Sequence, residues 1–288
     1  KMYTATIIIK LIEDRLLSFD DTLDKFFPKD YLAGLHVYKG KEYTSAITIR
    51  QLLSHTTGLP DWYTEKNESG SSYFKEICEE DSEFTFDDIL RRTKSLRPHF
   101  INGAKGKAYY SDMNFDILGE IIKAITHNEL KDVYDQLIIQ PLELEHTLLC
   151  EKTSIFVPVY LNSKPMSRPL AVASAGASGG IISTAQDTMK FIKAFYMGKL
   201  FDEEYLPMLY QWNRIQWYPM EYGIGMMRCK MSRLMSPFFP APEIVGHSGS
   251  FGTFAFFCPS KDLYISGTIN QINRNPFQLI YLLLHCFD

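Results

Sequence analysis

The segment that follows Lys1 is apolar on nearly every side of a helix, until the charged run at residues 13–15. Its apolar residues are Met2, Ala5, Ile7, Ile8, Ile9, Leu11 and Ile12. A helix without a polar face has to be enclosed by other elements, so this helix is predicted to lie at the centre of the fold. A free α-amino group and the Lys1 side chain would both be unfavourable at the positive end of the helix dipole. We therefore expect a further segment of the chain to precede Lys1.

The composition permits such a core and excludes some functions. The 288 residues are 45% hydrophobic, enough to enclose one large domain or two closely packed ones. A net charge of -4 and a pI near 6.0 argue against nucleic acid as a partner. No apolar run approaches the length of a membrane span. The five widely spaced cysteines are predicted to be mostly buried free thiols, not a disulfide framework or a zinc site.

A second constraint is the segment 108–119, in which Tyr110, Ser111 and Asp112 stand between a polar loop and a helix. The helix is predicted from its one apolar face, formed by Leu118, Ile121, Ile122 and Ile125. Polar groups at a helix entrance either cap the helix or take part in chemistry. The simpler interpretation is that Asp112 caps the first turn and that Tyr110 packs with its hydroxyl outward.

Two other segments favour chemistry. Lys1 opens the buried helix, and residues 245–252 read Val-Gly-His-Ser-Gly-Ser-Phe-Gly before two β-rich runs. Together with Tyr110-Ser111-Asp112 they resemble, in order and spacing, the three motifs of the serine β-lactamase and penicillin-binding-protein superfamily. The nearest branch is the class C type, with its esterases and D-amino-acid peptidases. Its lysine belongs to a Ser-x-x-Lys motif, so the resemblance implies a nucleophilic serine three residues before Lys1, outside this sequence.

Three further segments resemble the same superfamily. Residues 52–60 resemble its LLSHTSGLP signature, residues 174–187 its AGGLxSTAxD segment, and residues 222–226 its YGLGW strand. The resemblance implies an α+β fold of the β-lactamase/transpeptidase-like type, in which an antiparallel sheet is flanked by helices and an all-helical lobe.

The same resemblance implies one catalytic domain over residues 1–288 that lacks the N-terminal part of its sheet and the nucleophile. The helical lobe is expected at about 20–200, and the sheet strands with a C-terminal helix at about 201–288. Local patterns predict helices at 86–95 and 130–139, a capping box of Thr48 and Gln51, and a capping pair of Thr184 and Asp187. Alternating residues predict strands at 243–247, 253–258 and 263–269.

The chemistry of such a site depends on the protonation of Lys1 and Tyr110. A serine hydroxyl must lose its proton to a base as it attacks. Lys1 can be that base only in its neutral form, which burial at a helix start would favour. The resemblance gives Tyr110 a place in the relay, either as a phenolate base or as the group that returns a proton to the leaving group. The sequence leaves both roles open.

Asp112 departs from the asparagine of most relatives. A carboxylate near Lys1 would raise the pKa of that lysine and oppose its role as a base. Two alternatives follow: Asp112 forms a salt bridge with Lys1 in the resting state, so that Tyr110 is the working base, or it points toward the helix cap.

His247 stands where many relatives have lysine. A histidine is largely neutral at pH 7 and donates one directed hydrogen bond, which favours neutral or differently charged esters and amides over substrates recognised through a carboxylate. Asp112, Ser248, Gly249 and Ser250 are expected to contact the substrate, and the resemblance implies that the Ser250 backbone N–H belongs to the oxyanion hole. His55 is interpreted as a hydrogen-bonded structural histidine.

The sequence therefore predicts a serine acyl hydrolase that acts through an acyl-enzyme on an ester, amide or lactam. The alternative is a catalytically silent binder or sensor of cell-wall fragments on the same fold. Its partner would be a small-molecule or peptide substrate, with no cofactor and no metal. Residues 212–222 are the expected substrate-shaping wall. An extracytoplasmic bacterial location is implied by the resemblance alone, and the oligomeric state stays open.

Overall fold

The computed structural model describes residues 1–28, 30–231, 241–272 and 274–287. The α-helices of these residues are numbered α1 to α11 in chain order: Met2–Glu13, Ile49–Leu53, Tyr73–Glu79, Phe86–Lys94, Met113–Thr126, Leu130–Tyr134, Pro169–Ser174, Gly176–Gly179, Ala185–Tyr196, Leu206–Leu209 and Phe277–His285. The strands are numbered β1 to β12: Val37–Tyr38, Lys41–Glu42, Leu148–Leu149, Val159–Leu161, Lys164–Met166, Ile181–Ile182, Asn213–Arg214, Met220–Tyr222, Met227–Cys229, Ile244–Ser248, Thr253–Cys258 and Leu263–Thr268.

The main sheet has six antiparallel strands in the order β12-β11-β10-β9-β8-β7. Each strand pairs with its neighbours along the chain, so the sheet is a meander. In the register of its longest pair, Thr253 faces Thr268 and Cys258 faces Leu263. Helix α9 packs against β11 and β12, and α11 packs through Phe277 on Phe256, with the ring centroids 5.7 Å apart. The strands predicted near the C-terminal end are therefore present within one residue of their predicted bounds.

Helix α1 lies at the centre of the molecule, as its apolar surface predicts. Nine of its twelve residues are buried, including Thr4 and Thr6. Their hydroxyls donate to the carbonyl oxygens of Ala177 and Met2, so they leave no unpaired polar atom in the core. The helix touches the turn between β8 and β9, where a Cβ on Gly225 would stand 2.2 Å from Cβ of Ala5. A side chain at residue 225 would therefore push α1 away from the sheet.

Helix α5 brings the polar segment 110–112 close to the start of α1. Gly119 lets α5 approach α8, since a Cβ at this position would be 2.6 Å from Cβ of Ala177. The same close approach places Ser178 beside Lys1. Asp112 precedes the first residue of α5, but its side chain accepts no capping hydrogen bond. The interpretation of Asp112 as a helix cap is therefore wrong.

Other local predictions hold in part. The capping box of Thr48 and Gln51 is confirmed. Thr184 caps α9, but the Asp187 carboxylate accepts the N–H of His146 at 2.7 Å instead of completing a second box. The single helix predicted at 130–139 continues after α6 as a wider π-type turn over Asp135–Ile139. None of the described helices is long and apolar enough to cross a membrane.

Candidate active site

One cleft between the helices and the sheet collects the predicted site residues. Lys1 from the start of α1, Tyr110 and Asp112 before α5, and His247 on β10 all line it. The turn after β10 adds the remaining predicted contacts, which are Ser248, Gly249 and Ser250. The cavity volume is about 1040 Å³. Residues separated by more than a hundred positions in the chain therefore converge on one site.

Lys1 is held by two oxygens. Its Nζ is 2.7 Å from Oδ1 of Asp112 and donates to the carbonyl oxygen of Ser178 at 2.5 Å. The side chains of Lys1 and Asp112 are 6% and 17% exposed. Lys1 also lies 5.1 Å from the ring centroid of Tyr110 and 5.6 Å from that of Phe115. The ammonium group is therefore enclosed by a carboxylate, a carbonyl and two aromatic rings.

The salt bridge decides the charge of Lys1. Burial by itself lowers the pKa of Lys1, but the Asp112 carboxylate, together with Tyr222 and Asp116, outweighs it, and the pKa lies above its usual value. The prediction that burial would favour a neutral Lys1 is therefore wrong on balance. Of the two alternatives for Asp112, the structure has the salt bridge with Lys1.

Two further carboxyl groups lie on the helix side, Asp61 in the lining of the cleft and Asp116 behind it. Asp61 accepts the backbone N–H of Asp112 at 3.0 Å and that of Thr64 at 3.1 Å. Asp116 accepts the indole N–H of Trp62 at 2.8 Å. Burial, and then the nearby charge of Asp112, raise the pKa of Asp61 to about 7 and that of Asp116 to about 8. Asp112, which has the lysine as its partner, is therefore surrounded by carboxyl groups that bind protons readily.

Tyr110 is anchored through its backbone and leaves its hydroxyl available. Its N–H donates to Oε1 of Gln216 at 2.8 Å, and its carbonyl accepts from Nε2 of the same residue at 3.0 Å. The ring is stacked on His55 with centroids 4.3 Å apart. Within the described part of the chain the hydroxyl makes no hydrogen bond. Burial and the Asp112 carboxylate raise the pKa of Tyr110 well above its usual value, so the phenol keeps its proton.

His247 is fixed through both ring nitrogens. Nδ1 is 2.8 Å from the carbonyl oxygen of Ser248, and Nε2 is 3.1 Å from the hydroxyl of Tyr222. The ring is partly exposed to the cleft, and its centroid lies 6.3 Å from that of Tyr110. Burial holds the pKa of His247 well below its usual range, and the side-chain ammonium of Lys1 acts in the same direction. The histidine is neutral, as the sequence predicts, but its N–H points to the backbone and not into the cleft.

The turn after β10 offers backbone groups to the cleft. The N–H of Gly249 donates to the carbonyl of Thr253 at 2.8 Å. The N–H of Ser250 donates no hydrogen bond within the described residues, and the Ser250 side chain contacts the hydroxyl of Tyr63 from the helix side. The Ser250 N–H stays the predicted donor of the oxyanion hole.

His55 is the structural histidine that the sequence predicts. It is fully buried, and its Nδ1 accepts the N–H of Ser111 at 3.2 Å and the side-chain amide of Asn114 at 2.9 Å. Its ring contacts Tyr222 edge-on with centroids 4.3 Å apart. His55 therefore supports the two tyrosines of the site from behind.

The predicted wall at 212–222 lies partly at the cleft. Trp217 and Tyr218 line it and are 43% and 69% exposed, and Trp217 packs on Tyr110 with centroids 4.9 Å apart. Exposed Val157 lines the cleft as well. Trp212 instead lies under the guanidinium of Arg228 at 4.6 Å, and it does not line the cleft.

Four residues with direct contacts in the site escaped the sequence analysis, and these are Asp61, Asp116, Ser178 and Tyr222. Asp61 follows the LLSHTTGLP segment, and Ser178 lies among the glycines of 174–187, whose spacing already predicts a close backbone approach. No sequence signal distinguishes Asp116 from other carboxylates in the first turn of a helix. Tyr222 was assigned to the substrate wall, whereas its ring is fully buried behind His247.

The architecture is that of the serine hydrolases of the β-lactamase/DD-peptidase type. A sequence profile described as beta-lactamase matches residues 1–280, and the chain belongs to this family. It is 24% identical over 303 residues to the D-alanyl-D-alanine-carboxypeptidase/endopeptidase AmpH of Escherichia coli K12, an alignment that covers 96% of this chain and 69% of AmpH. The family places the chain among the serine acyl hydrolases.

Solved structures confirm the predicted fold class. A D-stereospecific amidohydrolase from Streptomyces sp. matches 94% of this chain and 80% of its own, with 24% identity and a TM-score of 0.75. The D-amino acid amidase from Ochrobactrum anthropi SV3 complexed with D-phenylalanine matches 99% of this chain and 89% of its own, with 18% identity and a TM-score of 0.77. The α+β, β-lactamase/transpeptidase-like architecture is therefore shared with both.

Proposed function

We propose that residues 1–288 form a catalytic domain that hydrolyses a neutral ester or amide through an acyl-enzyme. The observation that carries the proposal is the meeting of the Lys1–Asp112 salt bridge, the free Tyr110 hydroxyl and neutral His247 in one cleft. The mechanism needs a nucleophilic serine one helical turn before Lys1, as the family resemblance implies. The substrate is a small molecule or a peptide.

Proton transfer is divided between Lys1 and Tyr110. Tyr110 keeps its proton because its pKa is raised, so it acts as the acid that protonates the leaving group. The serine proton goes to Lys1, in the fraction of molecules in which the amine is neutral. Because Asp112 raises the pKa of Lys1, this fraction is small at neutral pH and grows as the pH rises.

The charge distribution of the cleft favours a neutral substrate. Among the described residues that line it, Lys1 and Arg274 are the cations, and Lys1 is already paired with Asp112. Among these described residues, no unpaired cation next to Tyr110 is left for a substrate carboxylate. Trp217 and Tyr218 offer exposed aromatic surface for an apolar group of the substrate. The relatives named above, an amidase and an amidohydrolase, fit amides of this kind.

Replacing Tyr110 by Phe tests the assignment on full-length protein. An amide needs a protonated leaving group, so its kcat should fall by about 10²–10⁴. A p-nitrophenyl ester has a leaving group that departs without a proton, so its loss should be about tenfold or less. Steady-state kinetics on the two substrates measures this difference.

Tyr109→Phe is the matched control. Tyr109 is stacked on His99 with centroids 3.6 Å apart, and it does not line the cleft. This variant should keep both activities. Equal losses on ester and amide in the Tyr110 variant would instead make Tyr110 the base. If the native protein forms no acyl adduct by mass spectrometry and turns over neither substrate, the alternative of a catalytically silent binder replaces the proposal.

A further inference from the structure

Tyr222 connects two strands of the sheet that are not neighbours. It ends β8, and its side chain is fully buried. Strand β9 lies between β8 and β10, so the tyrosine ring spans one strand to reach His247. Its hydroxyl is 3.1 Å from Nε2 of that histidine. The hydrogen bond therefore ties His247 to a rigid, buried part of the sheet.

The direction of this hydrogen bond follows from the other ring nitrogen. Nδ1 of His247 lies 2.8 Å from the carbonyl oxygen of Ser248, and a carbonyl oxygen can only accept. In a neutral imidazole the proton must therefore be on Nδ1, and Nε2 carries a lone pair. The Tyr222 hydroxyl donates to that lone pair. Both nitrogens of the ring are then occupied.

The surrounding groups hold this arrangement. Within residues 1–28, 30–231, 241–272 and 274–287, the titratable side chains that face His247 are Tyr222 from β8, Tyr110 from before α5, Lys1 from the start of α1, and His55 from after α2. Lys1 is a cation and repels a second positive charge. His55 accepts at Nδ1 and is itself neutral, since burial holds its pKa well below the usual range. Burial likewise keeps the pKa of Tyr222 well above its usual value, so the phenol retains the proton it donates.

We propose that Tyr222 is a positioning residue that donates to Nε2 of His247, in the tautomer that the Ser248 carbonyl selects, and so leaves the ring without a free N–H for the substrate. His247 then holds the Ser248 carbonyl, and through it the turn with Gly249 and Ser250, instead of binding an anion. The consequence for specificity rests on the proposed function: the site accepts neutral esters and amides, and substrates with a carboxylate gain nothing from His247.

Histidine-selective ¹⁵N labelling of the full-length protein reports the tautomer without any turnover. We expect the native His247 to remain the neutral Nδ1–H form from about pH 8 down to about pH 5.5. In Tyr222→Phe, Nε2 loses its donor while the aromatic ring stays in place. The pKa of His247 should then rise above its native value, while burial and the charge of Lys1 still hold it below about 6.5.

Tyr196→Phe is a matched control. Tyr196 lies on α9 outside the cleft, burial likewise raises its pKa well above the usual value, and its hydroxyl contacts the Met226 sulfur at 3.2 Å. This variant also loses one buried tyrosine hydroxyl, but the titration of His247 should not change.

In Tyr222→Phe, KM for an anionic ester should fall several-fold below about pH 6.5, while KM for a neutral ester stays constant.

Two results would overturn the assignment. One is an Nε2–H tautomer of His247 in the native protein. The other is an identical titration of His247 in the native protein and in Tyr222→Phe. The spectra also separate this assignment from the proposed function. If His247 has the expected tautomer and no substrate is hydrolysed, the hydrolase proposal fails and the role of Tyr222 stands.

Discussion

Two sides of the cleft differ in the charge of their buried groups. The helix wall is formed by Lys1 and Asp112, and the sheet wall by His247 with Tyr222 behind it. On the helix wall, Lys1 and Asp112 remain charged with their atoms 2.7 Å apart. On the sheet wall, His247 and Tyr222 are both neutral, and the Tyr222 hydroxyl donates a hydrogen bond to Nε2 of His247. Burial penalises every charged form, so a buried group keeps its charge only where an opposite charge lies in contact.

This contrast explains how one cleft can move protons and also hold a substrate. The groups whose pKa values are raised include Lys1 and Asp61 in the helix wall and Asp116 behind it. The sheet wall offers backbone groups, fixed by a histidine that stays neutral. Each of the following predictions removes one member of a wall and asks whether the difference between the walls persists.

The largest effect is expected for Lys1→Met. The site loses its base, so kcat should fall by about 10²–10⁴ on any substrate of the enzyme. The Asp112 carboxylate also loses its partner at a site where it is 17% exposed, so we expect a loss of stability of roughly 3 kcal/mol. Steady-state kinetics and urea unfolding of the full-length protein measure the two losses separately.

Adding a second substitution to Lys1→Met separates the loss of stability, caused by an unpaired charge, from the loss of activity. Lys1→Met combined with Asp112→Asn removes both charges, and it should recover most of the stability but none of the activity. Recovery of neither would mean that Lys1 stabilises the fold through its contacts with Tyr110, Phe115 and the Ser178 carbonyl, and not through the salt bridge.

A smaller effect concerns stability between about pH 5 and pH 6.5. Burial raises the pKa of Asp116 to about 8, so the native state holds a proton that the unfolded state releases. The contribution of Asp116 to the free energy of unfolding therefore increases as the pH falls. His55 is fully buried with a lowered pKa, so the unfolded state binds a proton that the native state does not bind. The contribution of His55 to the free energy of unfolding therefore decreases as the pH falls. Each contributes about 1.4 kcal/mol per pH unit with opposite sign.

Single variants should reveal the two opposing contributions. Asp116→Asn should lose stability on acidification more steeply than the native protein, by roughly 2 kcal/mol across the window. His55→Phe keeps an aromatic ring beside Tyr110 and should change the slope in the opposite direction, whatever its effect on absolute stability. Chemical denaturation at several pH values gives these slopes. Parallel curves for the native protein and both variants would show that neither group changes its protonation on folding.

The parts of the fold that the sequence predicts are those with local causes. The enclosure of α1 follows from its apolar surface, the capping box of Thr48 and Gln51 from their spacing, and the strands β10 to β12 from alternation and turns. The motifs also predict which residues meet in the cleft. Each of these features depends on residues that are neighbours in the chain or on a motif that spans a few positions.

The charge states depend on contacts between distant segments. Burial of Lys1 could be inferred, but the sign of its pKa shift depends on how close Asp112 comes, and that distance is set by the packing of α5 against α1 and α8. The state of His247 likewise depends on contacts outside its own position: the Ser248 carbonyl selects its tautomer, and Tyr222, two strands away, occupies its Nε2. Asp116 is an ordinary first-turn carboxylate until tertiary packing buries it against the Trp62 indole and near Asp112.

The smallest expected effect tests the helix wall most directly. In Asp112→Asn the carboxylate that stabilises the ammonium is gone, so the pKa of Lys1 should fall and a larger fraction of the amine should be neutral at a given pH. The rising limb of the profile of kcat/KM against pH should therefore move to lower pH by about one unit, a gain of about tenfold on that limb. Measuring kcat/KM for a neutral ester from about pH 6 to pH 10 locates the limb.

Asp116→Asn provides the control, because Asp116 also acts on the pKa of Lys1 but is already protonated over much of this range. It should leave the limb nearly unchanged below about pH 8. A shift in Asp116→Asn as large as that in Asp112→Asn would mean that the limb reports the summed charge of the wall and not the salt bridge. A limb that stays in place in Asp112→Asn would mean that Lys1 is not the titrating base. The helix wall would then hold its charges for structure alone, and the base would have to be sought outside the Lys1–Asp112 pair.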